Sequence, residues 1–122
     1  MKRLALLCAL GLASGSRAAP ASFQTVPVSE LRAALAKGAY LLDARTPAEY
    51  AAGHIEGAKL IPLAELPRRL NEVPKNRAVY VICRSGARSA QASALLREAG
   101  RRAINVGGGM NDWVRAGFPV TR

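Results

Sequence analysis

Ala78-Val79-Tyr80-Val81-Ile82-Cys83-Arg84-Ser85-Gly86-Ala87-Arg88-Ser89 is the stretch whose reading decides the fold. Its first five residues are β-branched, aromatic or small, and none is charged. That is the pattern of a central parallel strand with both faces covered. Helical spacing follows, through Ala92, Leu95 and Leu96 over Arg88–Ala99, and Gly100 ends it. Between strand and helix lies a short loop with a thiol at its start, a glycine at its centre and two arginines. In open α/β sheets, ligands bind beyond the carboxyl ends of strands. The loop therefore stands where chemistry is expected.

Working outward, the chain alternates. Thr25–Val28 is a short extended segment, and Ser29 is the expected N-cap of a helix over Glu30–Lys37 closed by Gly38. Ala39-Tyr40-Leu41-Leu42 is a buried strand that ends at Asp43. Thr46-Pro47-Ala48-Glu49 is a capping box with proline at the first helical position, and the helix it opens stops at Gly53. Ala58–Ile61 forms a further strand. Leu63, Leu66 and Leu70 give a helical stripe that Pro67 interrupts. Ala103–Val106 is the last strand, Gly107-Gly108-Gly109 a turn, and Met110–Ala116 the last helix. This order predicts an α/β fold, a mostly parallel sheet of about five strands with helices on both faces.

The N-terminus has a different character. Met1-Lys2-Arg3 is basic, Leu4–Leu12 is uncharged and apolar, and Ser16-Arg17-Ala18 fits a small-x-small cleavage site. Residues 1–18 are therefore expected to be a secretory signal peptide, 19–25 a linker, and 26–122 the domain. The apolar run is shorter than the ~20 residues that span a bilayer. An exported protein, periplasmic or secreted, with no stable membrane insertion after cleavage, is the expectation. Cleavage would remove Cys8 and leave Cys83 as the sole cysteine, so no intramolecular disulfide could form.

Composition bounds the function. The chain has 122 residues and is 50% hydrophobic, which suits one folded unit rather than disorder. Two cysteines and one histidine exclude a four-thiolate or multi-histidine metal centre. Eighteen Lys and Arg against eight Asp and Glu give +10. A nucleic-acid partner is not expected, because the basic residues are scattered and aromatics make up only 5%. Arg68-Arg69 and Arg101-Arg102 are the adjacent pairs of the expected domain.

Within the loop, backbone amides around Gly86 and the N-terminus of the following helix converge on Cys83. Such a nest binds anions and lowers a thiol's pKa, and the thiolate is the nucleophile. Cys-Arg-Ser-Gly-Ala-Arg-Ser at 83–89 resembles the active-site loop of the rhodanese family of sulfurtransferases. Asp43-Ala44-Arg45-Thr46-Pro47-Ala48-Glu49-Tyr50 with Gly53-His54-Ile55-Glu56-Gly57-Ala58 resembles the family's first signature. Gly107-Gly108-Gly109-Met110-Asn111-Asp112-Trp113 resembles its C-terminal one. The likeness runs from about Val26 to Arg122.

The resemblance implies a persulfide mechanism. Cys83 would take the outer sulfur of a small anionic donor such as thiosulfate and pass it to cyanide or a thiol, protein thiols included. It implies no metal and no organic cofactor. Arg84 and Arg88 would attract the donor, and the amides of Ser85, Gly86, Ala87 and Ser89 would cradle it. Asp43 would fix the loop as a supporting residue, with Arg45 beside it in a local pair or cap with Glu49. His54 is expected to be structural and Trp113 a core anchor. Two readings use the same residues: a turnover enzyme, and a persulfide carrier that relays sulfur to a partner protein. A cysteine phosphatase resembles Cys-x5-Arg, whereas Cys83 and Arg88 make the shorter Cys-x4-Arg, a smaller cradle.

Overall fold

The computed structural model describes residues 22–122; the expected signal peptide lies outside them, as do the first residues of the expected linker. The elements run β1 (Gln24–Val26), α1 (Val28–Ala36), β2 (Tyr40–Asp43), α2 (Pro47–Ala52), β3 (Lys59–Leu60), two 3-10 turns (Leu63–Arg68 and Leu70–Glu72), β4 (Ala78–Ile82), α3 (Ala87–Glu98), β5 (Arg102–Val106) and α4 (Gly109–Arg115). The five strands form one sheet in the order β1-β5-β4-β2-β3, every pair parallel. This is the expected α/β architecture.

Alternation along the strands divides the core. Leu42, Val79, Val81 and Ala103 face Leu66, Ala92 and Leu96 on one side. Leu41, Ile82 and Val106 face Leu31, Met110 and Trp113 on the other. The period of two along each strand places neighbours on opposite faces. So α3 and the 3-10 turns cover one face, and α1 and α4 the other. Trp113 is fully packed, and its indole N–H donates to the Pro119 carbonyl at 2.8 Å.

Several expectations need correction. Ser29 does not cap α1. The helix begins two residues earlier than expected, at Val28, with Pro27 at the N-cap and no side-chain cap bond. Gln24 and Thr25, assigned to the linker, lie in β1 and pair with Ile104 and Asn105. The leucine stripe forms 3-10 turns instead of an α-helix, with Pro67 inside the first. Proline lacks the N–H that a regular helix needs, and short 3-10 pieces tolerate that loss. One arginine of each adjacent pair, Arg69 and Arg101, has partners within the protein. Arg69 pairs with Glu65 and Glu72, and Arg101 donates to the carbonyls of Val73, Ala99 and Leu70.

Candidate active site at the carboxyl end of β4

Cys83 is the residue after β4, and the chain then turns through Arg84-Ser85-Gly86 into α3. Gly86 is the N-cap of α3 at φ 107° and ψ −9°, a left-handed conformation that glycine adopts without penalty. That turn aims the Gly86 N–H at the Cys83 sulfur, 3.1 Å away. The dipole of α3 points its positive end at the same place.

The electrostatics of the thiol are a contest. Burial pushes the Cys83 pKa up. Donors placed around the anionic sulfur, the Ser89 hydroxyl and the amides of Ser89, Gly86 and Ser85, pull it down, and the net result lies below the ordinary value. Only the Gly86 contact has full hydrogen-bond geometry. The Ser89 hydroxyl is buried beside the thiol yet has no completed hydrogen bond. It is a donor in reserve for the anionic sulfur, which accepts more strongly than a neutral thiol.

The loop is clamped from the C-terminal side. Met110 N–H donates to the Cys83 carbonyl at 2.8 Å, and Asn111 N–H to the Arg84 carbonyl at 3.0 Å. These are free amides of the first turn of α4, used here to anchor the loop. Behind the loop, the buried Asn105 amide lies 3.5 Å from the Gly86 carbonyl. Met110 and Asn111 had stood only as part of a signature, with no local signal for this clamping role.

The two arginines differ. Arg84 is exposed and has no ion-pair partner among the described residues. Arg88 is bound to Glu49 by two hydrogen bonds of 2.9 Å. Glu49 closes the capping box of α2 as well: its own amide donates to the Thr46 hydroxyl, and its carboxylate accepts from the Thr46 amide. The carboxyl is held at about 2, first by Arg88 and further by Thr46, against the opposing effect of burial.

Asp43 and Arg45 form a pair of their own. Arg45 donates to both Asp43 oxygens through Nε and Nη2, and through its backbone amide to one of them. Asp43 therefore does not bond to the loop, contrary to expectation. Arg45 meets Glu49 only at its carbonyl, at 3.4 Å, and also donates to the Gly53 carbonyl. Its cation thus closes the C-terminal end of α2 and orients the helix that carries Glu49. His54 lies away from the sulfur's hydrogen-bond set. It stacks on Tyr50, bonds to the Tyr50 carbonyl through Nδ1, and exchanges two backbone bonds with Thr121.

Residues 27–116 match the family model described as the rhodanese-like domain. The chain belongs to the rhodanese-like domain family. A protein named sulfurtransferase from Allochromatium vinosum is 48% identical, over 66% of this chain and 76% of its own length. Thiosulfate sulfurtransferase 18 of Arabidopsis thaliana is 35% identical, over 79% of this chain and 82% of its own. The crystal structure of a rhodanese-like domain protein from Staphylococcus aureus superposes with a TM-score of 0.71 at 38% identity, covering 75% of this chain and 91% of that one. Sulfurtransferases among the relatives of this rhodanese-like domain support sulfur transfer as its general activity. Among the described residues no cluster of His, Cys, Asp or Glu could hold a metal ion, and no helix is long and apolar enough to cross a membrane.

Proposed function

We propose that the protein transfers a sulfane sulfur through a persulfide on Cys83, with thiosulfate or a similar small anion as donor. The observation that carries this reading is the cysteine at the N-terminus of α3, with the Gly86 amide at 3.1 Å and its pKa below the ordinary value. A thiolate in that setting attacks the outer sulfur of thiosulfate. The S–S bond of the donor breaks, its electron pair leaves with sulfite, and the outer sulfur stays on Cys83 as a persulfide. The acceptor, cyanide or a thiolate, then attacks that outer sulfur and returns the electron pair to Cys83. The amides of Ser85, Gly86 and Ser89 stabilise the negative sulfur at both stages. Arg84, exposed and unpaired, draws the donor anion, while Arg88 acts through its pair with Glu49.

A second reading, a persulfide carrier serving a protein acceptor, is favoured by two observations. The thiol is only 1% exposed, and Arg88 is already neutralised, so only Arg84 offers an unpaired charge to a free dianion. Export, with removal of residues 1–18, is supported by the basic start, apolar run and small-residue cleavage site of the N-terminal sequence.

The test is thiocyanate formation from thiosulfate and cyanide, with Cys83→Ser alongside. Turnover by the wild type alone supports the enzyme. Formation of a Cys83 persulfide without turnover supports the carrier. Sulfur transfer by the Cys83→Ser variant would overturn both.

A further inference from the structure

A cavity of about 520 Å³ opens beside the loop, with Arg84, Ala52, Met110, Val114, Arg115 and Val120 among its lining. Val114 and Val120, 58% and 48% exposed, are the exposed large hydrophobic residues of the described chain, and both lie in this one groove. Elsewhere such side chains are packed, so their pairing here marks an interaction surface. The balance of charge at the groove is positive. Arg84 borders it unpaired, Arg115 borders it in an exposed pair with Asp112, Arg45 is taken up by Asp43, and the lining carboxylate, Glu49, is consumed by Arg88. Arg122 reaches its edge, donating to the Ala52 carbonyl. The groove adjoins the catalytic loop: Arg84 lines it, and the amides of its Met110 and Asn111 hold the Cys83 and Arg84 carbonyls.

We infer that this groove docks a partner protein through a segment that combines apolar side chains with carboxylates and carries a cysteine. The inference rests on the persulfide reading above and names its acceptor class. Charge complementarity argues for the occupant: an apolar floor takes leucine-like side chains, and the arginines at its border select acidic neighbours over basic ones. In the transfer, the partner thiolate attacks the outer sulfur of the Cys83 persulfide. The bond between that sulfur and Cys83 Sγ breaks and its electron pair remains on Sγ. The partner leaves as a persulfide, with no net oxidant or reductant.

The test has two arms, each with wild type, Val114→Asp and Arg115→Glu. In the binding arm, a fluorescein-labelled peptide Glu-Glu-Leu-Ser-Leu-Glu is titrated at low salt against the same peptide with lysines for glutamates. The acidic peptide is expected to bind roughly tenfold tighter, with the preference lost in both variants. In the transfer arm, persulfide-loaded protein is offered the acidic peptide with Cys in place of Ser, and separately 2-mercaptoethanol. The peptide reaction is expected to slow in both variants while the 2-mercaptoethanol reaction is unchanged. Equal binding of the two peptides, or variants that slow both thiols alike, would overturn the docking surface. Failure to load Cys83 at all would count against the persulfide reading, and the binding arm would still decide the groove.

Discussion

Glu49 holds Arg88 across 39 positions of sequence through two hydrogen bonds of 2.9 Å, joining the first turn of α2 to the first turn of α3. Arg88 needs this partner. A cation near a helix N-terminus is opposed by the helix dipole, and a carboxylate beside it removes the conflict. The pair also tethers the catalytic loop to the segment that follows β2. One carboxylate thus serves a local purpose, the cap, and a long-range one.

That arrangement predicts an acid-sensitive contribution to stability. The Glu49 carboxyl is lowered from 4.5 to about 2 in the folded protein. Its stabilisation is therefore fully present above the unfolded value and is lost as the pH falls from about 4.5 towards about 2. With 29% and 33% of the two side chains exposed, solvent screening reduces the worth of the shift to about 1–2 kcal/mol. Glu49→Gln should lower stability by that amount at pH 7 and by progressively less towards pH 2. Urea unfolding at a series of pH values measures the gap; a gap that stays constant with pH would contradict the assignment.

Ser89→Ala should separate the chemistry of the thiol from the stability of the fold. The hydroxyl is a buried donor without a completed bond, so removing it should cost little or nothing in stability. It is also the foremost of the hydrogen-bonding influences that lower the Cys83 pKa against burial. Iodoacetamide alkylation followed against pH should therefore show the Cys83 inflection moving upward in Ser89→Ala. The urea midpoint should stay the same or rise. An unmoved inflection would show that the backbone amides alone set the thiolate.

Local chemistry was the legible part of this sequence. Ala78–Ile82 reads as a strand because a continuous uncharged β-branched run suits a strand covered on both faces. Thr46, Pro47 and Glu49 read as a cap because the capping bonds themselves span only three residues. The thiol, central glycine and following helix could be read as a nest for the same reason. What escaped was set by distance along the chain or by competition. Nothing beside Glu49 points to Arg88, and nothing beside Met110 points to the Cys83 carbonyl. Asp43 was placed at the correct strand end, but Arg45 takes up both its oxygens, leaving no bond to the loop. Ser29 had the chemistry of an N-cap, yet Pro27, with its extended backbone at φ −77°, enters the helix two residues earlier.

Arg45 and Asp43 make a buried pair whose halves are unequal to lose. Asp43 is fully buried and Arg45 is 6% exposed. Arg45→Met should leave the Asp43 carboxylate without its charge partner and cost about 3–5 kcal/mol. Replacing both, as Asp43→Leu with Arg45→Met, removes the stranded charge and should cost less than Arg45→Met alone. Urea unfolding of the three proteins measures the difference. A double variant less stable than Arg45→Met would show that the Asp43 carboxylate, which also accepts from the Arg45 backbone amide, stabilises the fold even without its charge partner.

Gly109 opens α4 directly beneath the catalytic loop, and a side chain there has nowhere to go. At φ +53°, a Cβ on Gly109 would stand 2.5 Å from the Cys83 carbonyl oxygen and 2.6 Å from the Arg84 carbonyl carbon and oxygen. All of these are backbone atoms and cannot swing aside. Gly117 is the natural control, with φ +79° and nothing within 4 Å of where a Cβ would stand. Gly117→Ala should cost the left-handed backbone penalty alone, about 1 kcal/mol. Gly109→Ala adds the steric conflict and should cost about 2–4 kcal/mol, partly by prising α4 from the loop. It should also weaken the Met110 bond to the Cys83 carbonyl, so that amide exchange at Met110 and Asn111 speeds up more than exchange in β4. Equal destabilisation by the two substitutions, with protected amides at Met110 and Asn111, would show that the loop yields without losing its clamp.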